Sequence, residues 1–216
     1  MTRDPAKLIV GLAAALGTAL LVFARRNGSD VELPELSLDA DPVDRAELEL
    51  QRWEGLKETD ARAAPLLARY WKAVGLPPQP SDTPWSAAFL SFVARPALDP
   101  SGDHVGYARA ALRARKSGTP NKYWAFAPNE SGVLPVRRGD ILIRGRGQPV
   151  SWQDVETDTG HKDAHGDLVT DVSAGVVSLI GGNVSNAVTQ TDQLLGAAPV
   201  GVFAILRKPP AVGGQV

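Results

Sequence analysis

The pattern of apolar and polar residues divides the chain into three parts. Residues 8–24, LIVGLAAALGTALLVFA, are an uncharged apolar run, and residues 27–44 are acidic, interrupted by Gly and Pro, and without periodicity. Beyond them, apolar residues recur first at helical and then at strand spacing. The pattern predicts a membrane or signal segment over residues 1–26, a linker over 27–44 and one domain over 45–210.

The N-terminal apolar run has about the length needed to span a membrane. A helix over residues 8–24 would rise about 26 Å, against a hydrocarbon core of about 30 Å. Positive charges stand on both sides, at Lys7 and at Arg25, so they do not set an orientation. The run fits an uncleaved membrane anchor or a signal peptide. A buried core helix fits less well, because the only polar residue is Thr18. We therefore expect a protein anchored in the membrane or exported to the cell envelope.

The first half of the domain predicts four helices. Residues 44–57 and 65–75 carry Leu and Trp at amphipathic spacing, and Asp103 precedes a further helix, HVGYARAALRARK. Between them, PWSAAFLSFV (84–93) predicts a helix with Asp82 or Thr83 as its cap and Pro84 in its first turn. Ser86 would then lie in the first turn, at the edge of a buried apolar stripe.

The second half of the domain predicts short strands rich in Val and Ile. They are YWAFA, DILIR, DLVTDV, GVVSLIGG and VGVFAILR. Ser173, Ala174 and Gly175 suit a tight turn, so DLVTDV and GVVSLIGG should form an antiparallel hairpin. Helices followed by strands predict an α+β domain with helices packed on one face of an antiparallel sheet.

Composition excludes several classes of function. The net charge of −1 does not suit a nucleic-acid-binding protein, which needs a basic face. The absence of cysteine excludes disulfides, thiolate zinc sites, iron–sulfur clusters and a cysteine nucleophile. No cofactor is expected. The oligomeric state is left open.

Acyl-transfer chemistry needs a nucleophile, a base and a group that orients the base. Among the three histidines, His165 directly precedes the strand DLVTDV, which would fix its ring at the end of the sheet. The predicted hairpin would bring Asn183 near His165. Ser86 could be the nucleophile, with Trp85 and His104 lining a substrate cleft. By themselves, a first-turn serine, an edge histidine and a turn asparagine are more often structural than catalytic.

The segment around His165 could instead form a metal site. His161, Asp163 and His165 are close in sequence, and two histidines four residues apart bind zinc when they share a helical face. Gly160 and Gly166 bracket the segment and favour a loop. We therefore predict no metal.

Five motifs in order resemble a bacterial family of unknown function, DUF2272. They are PWSAAFLSFV, SGDHVGYARAAL, RRGDILIR, HGDLVTDV and VVSLIGGNVSNAV, and the resemblance spans residues 45–207. That family in turn is similar to the CHAP and NlpC-type amidohydrolases, papain-like enzymes that cut amide bonds in peptidoglycan. The resemblance implies a papain-like α+β fold in which Ser86 takes the place of the nucleophilic cysteine, His165 that of the base and Asn183 that of the orienting residue.

The serine departs from the hydrolase pattern. A cysteine beside an imidazolium is already a thiolate, whereas a serine must lose its proton during attack and needs a neutral histidine as general base. The resemblance therefore implies a peptidoglycan amidase or endopeptidase that uses Ser86, His165 and Asn183. A non-catalytic relative that binds cell wall, and a serine esterase or amidase acting on another substrate, remain alternatives.

Overall fold

Most helices lie in the first part of the domain and the strands in the second, with one short helix between two strands. The computed structural model describes residues 36–37, 39–80, 82–101, 103–158, 160–194 and 201–210. The helices are α1 (Pro42–Arg52), α2 (Ala64–Ala73, preceded by a 3-10 turn at Ala61–Ala63), α3 (Ser86–Ala94), α4 (His104–Lys116) and α5 (Trp152–Thr157). The strands are β1 (Trp124–Phe126), β2 (Ile141–Gly145), β3 (Ala164–Ser173), β4 (Val176–Val184), β5 (Ala187–Leu194) and β6 (Val202–Arg207).

The predicted membrane or signal segment, residues 8–24, lies outside the described residues. Among the residues that are described, no helix is both long and apolar enough to cross a membrane.

The six strands form one sheet in the order β1-β6-β2-β3-β4-β5. Every paired neighbour is antiparallel. Alternate residues of β2 point to opposite faces: Ile141 and Ile143 join the main core with the helices, whereas Leu142 joins a smaller cluster on the other face. The α+β prediction with an antiparallel sheet is confirmed, and so is the β3–β4 hairpin, in which Ser173 pairs with Val176.

Several element boundaries differ from the predictions. Helix α1 begins at Pro42, inside the predicted linker, because the Asp41 carboxylate accepts a hydrogen bond from the Val43 N–H at 2.8 Å. Helix α3 begins at Ser86 and not at Pro84, with Trp85 as its N-cap residue. Strand β5 and helix α5 were not predicted at all.

Two aromatic rings stack on Trp85, the residue that precedes Ser86. The Trp85 ring stacks on Trp53 with 4.8 Å between the ring centroids and on Tyr70 with 5.8 Å. The Trp85 indole N–H donates to Glu58 Oε2 at 2.8 Å. Trp85 is therefore a core residue, 1% exposed, and it does not line a cleft as the sequence suggested. Its burial fixes the start of α3 against α1 and α2.

Two glycines let α3 approach the sheet closely. A Cβ atom at Gly182 in β4 would overlap the Cβ of Phe89 in α3. A Cβ atom at Gly166 in β3 would lie 2.9 Å from Ile143 Cδ1 and 3.1 Å from Leu90 Cδ2. Both distances are shorter than ordinary van der Waals contact. Only glycine fits at Gly182 without moving the helix backbone, because every other residue carries a Cβ.

We expect Gly182→Ala to destabilise the fold by about 1–3 kcal/mol, as overpacking of a filled core does. Chemical denaturation at pH 7 measures this change. Ser178→Ala, on the same strand, is the control and should cost less than about 1 kcal/mol. Equal stability of Gly182→Ala and the wild type would contradict the proposed close packing of α3 on β4.

Candidate functional site

Ser86 and His104 are the first residues of α3 and α4. Ser86 Oγ lies 2.6 Å from His104 Nε2, which is hydrogen-bonding distance. Asp103 caps α4 by accepting a hydrogen bond from the Gly106 N–H at 2.6 Å, and this cap fixes the first turn that carries His104. The two helix starts are therefore joined by a serine–imidazole contact.

A second imidazole lies on β3, paired with a buried carboxylate. His165 and Asp167 are two residues apart on the strand and share one face. His165 Nε2 lies 2.9 Å from Asp167 Oδ1. Arg144 of β2 donates to the other oxygen, Asp167 Oδ2, in a salt bridge. Gly181 of β4 leaves room for this carboxylate, since a Cβ there would overlap Asp167 Oδ1.

The two pairs adjoin through their imidazoles. The ring centroids of His104 and His165 lie 5.7 Å apart, with the ring planes at 53°. His165 and Asp167 also face a cavity of about 410 Å³, whose wall includes Asn183 and Arg146. Ser86 and His104 lie behind that wall, 6% and 4% exposed. The site is thus a buried serine–histidine pair beside an oriented histidine at a cavity.

Both imidazoles are neutral at pH 7. Burial, followed by the charges of His165 and Arg146, lowers the pKa of His104 to about 3. Burial, followed by the charges of Arg144 and Arg146, lowers the pKa of His165 to about 4. A neutral imidazole can accept a proton, so either ring has the protonation state that a general base needs.

The contacts of each ring constrain its tautomer. The Asp167 carboxylate accepts only, so His165 carries its proton on Nε2 and leaves Nδ1 as the acceptor. For His104 Nε2 to accept the Ser86 proton, the ring proton must be on Nδ1. That atom is buried and has no hydrogen-bond partner in the described part of the chain. His104 therefore contacts the serine but has no orienting group, whereas His165 has one.

Asn183 lines the cavity, and another residue makes the hydrogen bond to His165. Asn183 has a left-handed backbone, with φ of 58°, at an irregularity between Gly181 and Val184 in the β4–β5 pairing. It lines the same cavity as His165. The hydrogen bond that orients His165 goes to Asp167 and not to Asn183. The catalytic roles of Ser86, His165 and Asn183 remain predictions.

Sequence reasoning missed Asp167 and gave His104 only a place in the cleft wall. Asp167 could have been found from the strand period, because residues i and i+2 share a face and HGD therefore places His165 beside it. The contact between Ser86 and His104 depends on how two helix starts meet, which no local pattern indicates.

The alternative metal ligands do not form a cluster. His161 is 66% exposed and lies 3.5 Å from Asp163 Oδ1 and 3.6 Å from Asp103 Oδ2. His165 Nε2 already contacts Asp167 Oδ1 at hydrogen-bonding distance. Among the described residues, no group of three or more His, Cys, Asp or Glu side chains could hold a metal ion.

The lowered histidine pKa values predict a loss of stability in acid. The unfolded chain binds these protons near the ordinary pKa of 6.5, and the folded chain binds them only near 3 and 4. Stability should therefore fall as the pH drops from about 6.5 toward 4, by about 1.4 kcal/mol per pH unit for each histidine. Chemical denaturation of the wild type at several pH values measures the slope.

The variant His104→Gln should have a slope smaller by about 1.4 kcal/mol per pH unit over this range. His161→Gln, which changes an exposed histidine, is the matched control and should keep the wild-type slope. If His104→Gln and the wild type have the same slope, His104 is not held neutral by burial.

Comparisons with known proteins identify one family. The model of a family described as an uncharacterized protein conserved in bacteria (DUF2272) matches residues 46–202. Comparisons with curated proteins and with solved structures found no match. The matched range contains Ser86, His104, His165, Asp167 and Asn183, and it covers most of the 216 residues. The chain therefore belongs to the DUF2272 family of bacterial proteins.

Proposed function

We propose that the protein is a hydrolase of peptide-type amide bonds in the bacterial cell wall, with Ser86 as its nucleophile. The observation that carries the proposal is the 2.6 Å contact between Ser86 Oγ and His104 Nε2. A nucleophile must lie within hydrogen-bond reach of its base, and this serine does. The first N–H groups of α3 have no partner within the helix, and they could stabilise the oxyanion that forms beside Ser86.

In the proposed chemistry, His104 accepts one proton and gives it up again in each of two half-reactions. Ser86 Oγ attacks the carbonyl carbon while His104 Nε2 takes the hydroxyl proton. The imidazolium then gives this proton to the amine leaving group as the C–N bond breaks, leaving an ester on Ser86. Water then attacks the ester carbonyl while the same imidazole takes one of its protons, and the imidazolium returns that proton to Ser86 Oγ as the acyl–oxygen bond breaks and the carboxylic acid leaves. Because His104 has no orienting group in the described part of the chain, we expect turnover slower than that of a complete triad.

The contacts favour other residues as base and as orienting group than the resemblance implied. They favour His104 as the base, where the resemblance implied His165. They favour Asp167 as the residue that orients His165, where it implied Asn183. A papain-like arrangement remains part of the proposal, supported by a nucleophile at a helix start and a histidine at the beginning of a strand.

The proposed substrate and location rest on the sequence. The resemblance to CHAP and NlpC-type enzymes supports peptidoglycan as the substrate. The apolar run at residues 8–24 supports a place in the cell envelope, by anchoring or by export.

A second candidate function is binding of wall fragments without catalysis. The specific observation in its favour is burial: Ser86 and His104 are 6% and 4% exposed, and the cavity wall contains His165 and Asn183 instead. In this alternative the Ser86–His104 hydrogen bond joins two helix starts and does no chemistry.

Release of soluble fragments from purified peptidoglycan by the full-length chain tests the two functions. We expect release by the wild type, and a loss of at least about 100-fold in Ser86→Ala and in His104→Gln, because each removes one partner of the reacting pair. No release by the wild type, or equal release by Ser86→Ala, would reject the catalytic function.

His165→Gln tells the two candidate bases apart. If His104 is the base, His165→Gln should retain activity within about tenfold of the wild type, since it changes a neighbouring ring only. Loss in His165→Gln with retention in His104→Gln would instead give the role of base to His165. Circular dichroism of each variant checks that the fold is kept.

A further inference from the structure

The wall of the cavity beside His165 contains four charged residues. They are two arginines and two aspartates, Arg144, Arg146, Asp167 and Asp192, so their formal charges balance. Arg144 and Asp167 neutralise each other in their salt bridge. Asp192 accepts a hydrogen bond from Ser178 Oγ at 2.8 Å on the solvent side of the β4–β5 pair. The second arginine, Arg146, has no ion pair or hydrogen bond of its guanidinium among the described residues.

Arg146 is exposed, and its guanidinium makes no ion pair or hydrogen bond within the described ranges. Its backbone is fixed, because the Arg146 N–H donates to Asp163 O at 2.9 Å and Arg146 follows directly on β2. A guanidinium on an anchored backbone presents a planar set of donors to the cavity. Carboxylates match that geometry with two parallel hydrogen bonds.

Arg146 also lies close to the candidate catalytic residues. Arg146 and His165 line the same cavity, and the ring centroid of His165 lies 5.7 Å from that of His104. Other residues of the cavity wall supply polar groups suited to a peptide backbone; they are Asn183, Ser185, Thr191 and Gln193. A ligand could therefore contact Arg146 at one end and the region of His165 at the other.

We propose that Arg146 binds a carboxylate of an acidic peptide in this cavity and so selects amide bonds that have a carboxylate nearby. The proposal names a substrate class for the proposed function and rests on it for the cleavage, although binding can be measured without cleavage. The cavity volume of about 410 Å³ suits a ligand of a few residues.

A pair of peptides that differ only in charge tests the proposal. The probes are N-acetyl-Ala-Glu-amide and N-acetyl-Ala-Gln-amide, titrated by ligand-observed NMR into the full-length wild type and into Ser86→Ala. We expect the Glu peptide to bind with a Kd at least about fivefold lower than that of the Gln peptide, and 0.5 M NaCl to reduce the difference. Equal Kd values, or no binding of either peptide, would overturn the proposal.

Arg146→Gln should remove the preference for the Glu peptide. Arg113→Gln is the matched control, since Arg113 is an exposed arginine on α4 outside the cavity wall, and it should keep the preference. If Arg113→Gln loses the preference as fully as Arg146→Gln does, the effect is one of net charge and the proposed subsite is wrong.

The two proposals can fail separately. A Glu preference in Ser86→Ala together with no turnover of peptidoglycan would reject the hydrolase and keep the carboxylate subsite. Turnover that depends on Ser86, without any Glu preference, would reject the subsite and keep the hydrolase.

Discussion

The close approach of α3 to the sheet determines the geometry of the whole site. Gly182 and Gly166 let the helix lie against β4 and β3, and the stacked rings of Trp53 and Trp85 fix where the helix begins. These contacts place Ser86 at a helix start beside His104. A Cβ at Gly166 would also lie 2.7 Å from His104 Nδ1, so β3 packs closely against this nitrogen, which has no hydrogen-bond partner among the described residues. The constraint that brings the serine and the imidazole together thus leaves the imidazole without an orienting group.

Burial affects the imidazoles and the carboxylate of the site differently. It keeps His104 and His165 neutral, because the charged form of an imidazole is unfavourable away from water. Asp167, 1% exposed, is instead paired with Arg144, and breaking such a buried pair leaves an uncompensated charge. The result is a site with one ordered ion pair and two neutral rings, beside a cavity whose wall also carries the charges of Arg146 and Asp192.

The sequence predicted the parts of the fold that have strong local signals. Asp103 before an apolar-periodic segment predicted α4, and Val- and Ile-rich runs with a tight turn predicted the β3–β4 hairpin. Strand β5 was missed because AVTQTDQL mixes polar residues into an edge strand and its turn, Ser185-Asn186, lacks the usual Asn-Gly signal. For the site, strand position predicted that Asn183 lies near His165, and both residues line one cavity. The contact of Ser86 with His104 could not be predicted, since it depends on tertiary packing between residues 18 apart in sequence.

The central claim is that Ser86 is an activated nucleophile. A fluorophosphonate reagent, which forms a covalent bond with activated serines, tests it most directly when the full-length chain is analysed by intact mass and peptide mapping. The account predicts one adduct per chain, located on Ser86, absent from Ser86→Ala and formed much more slowly in His104→Gln. An unmodified wild type, or an adduct of equal yield in Ser86→Ala, would contradict it.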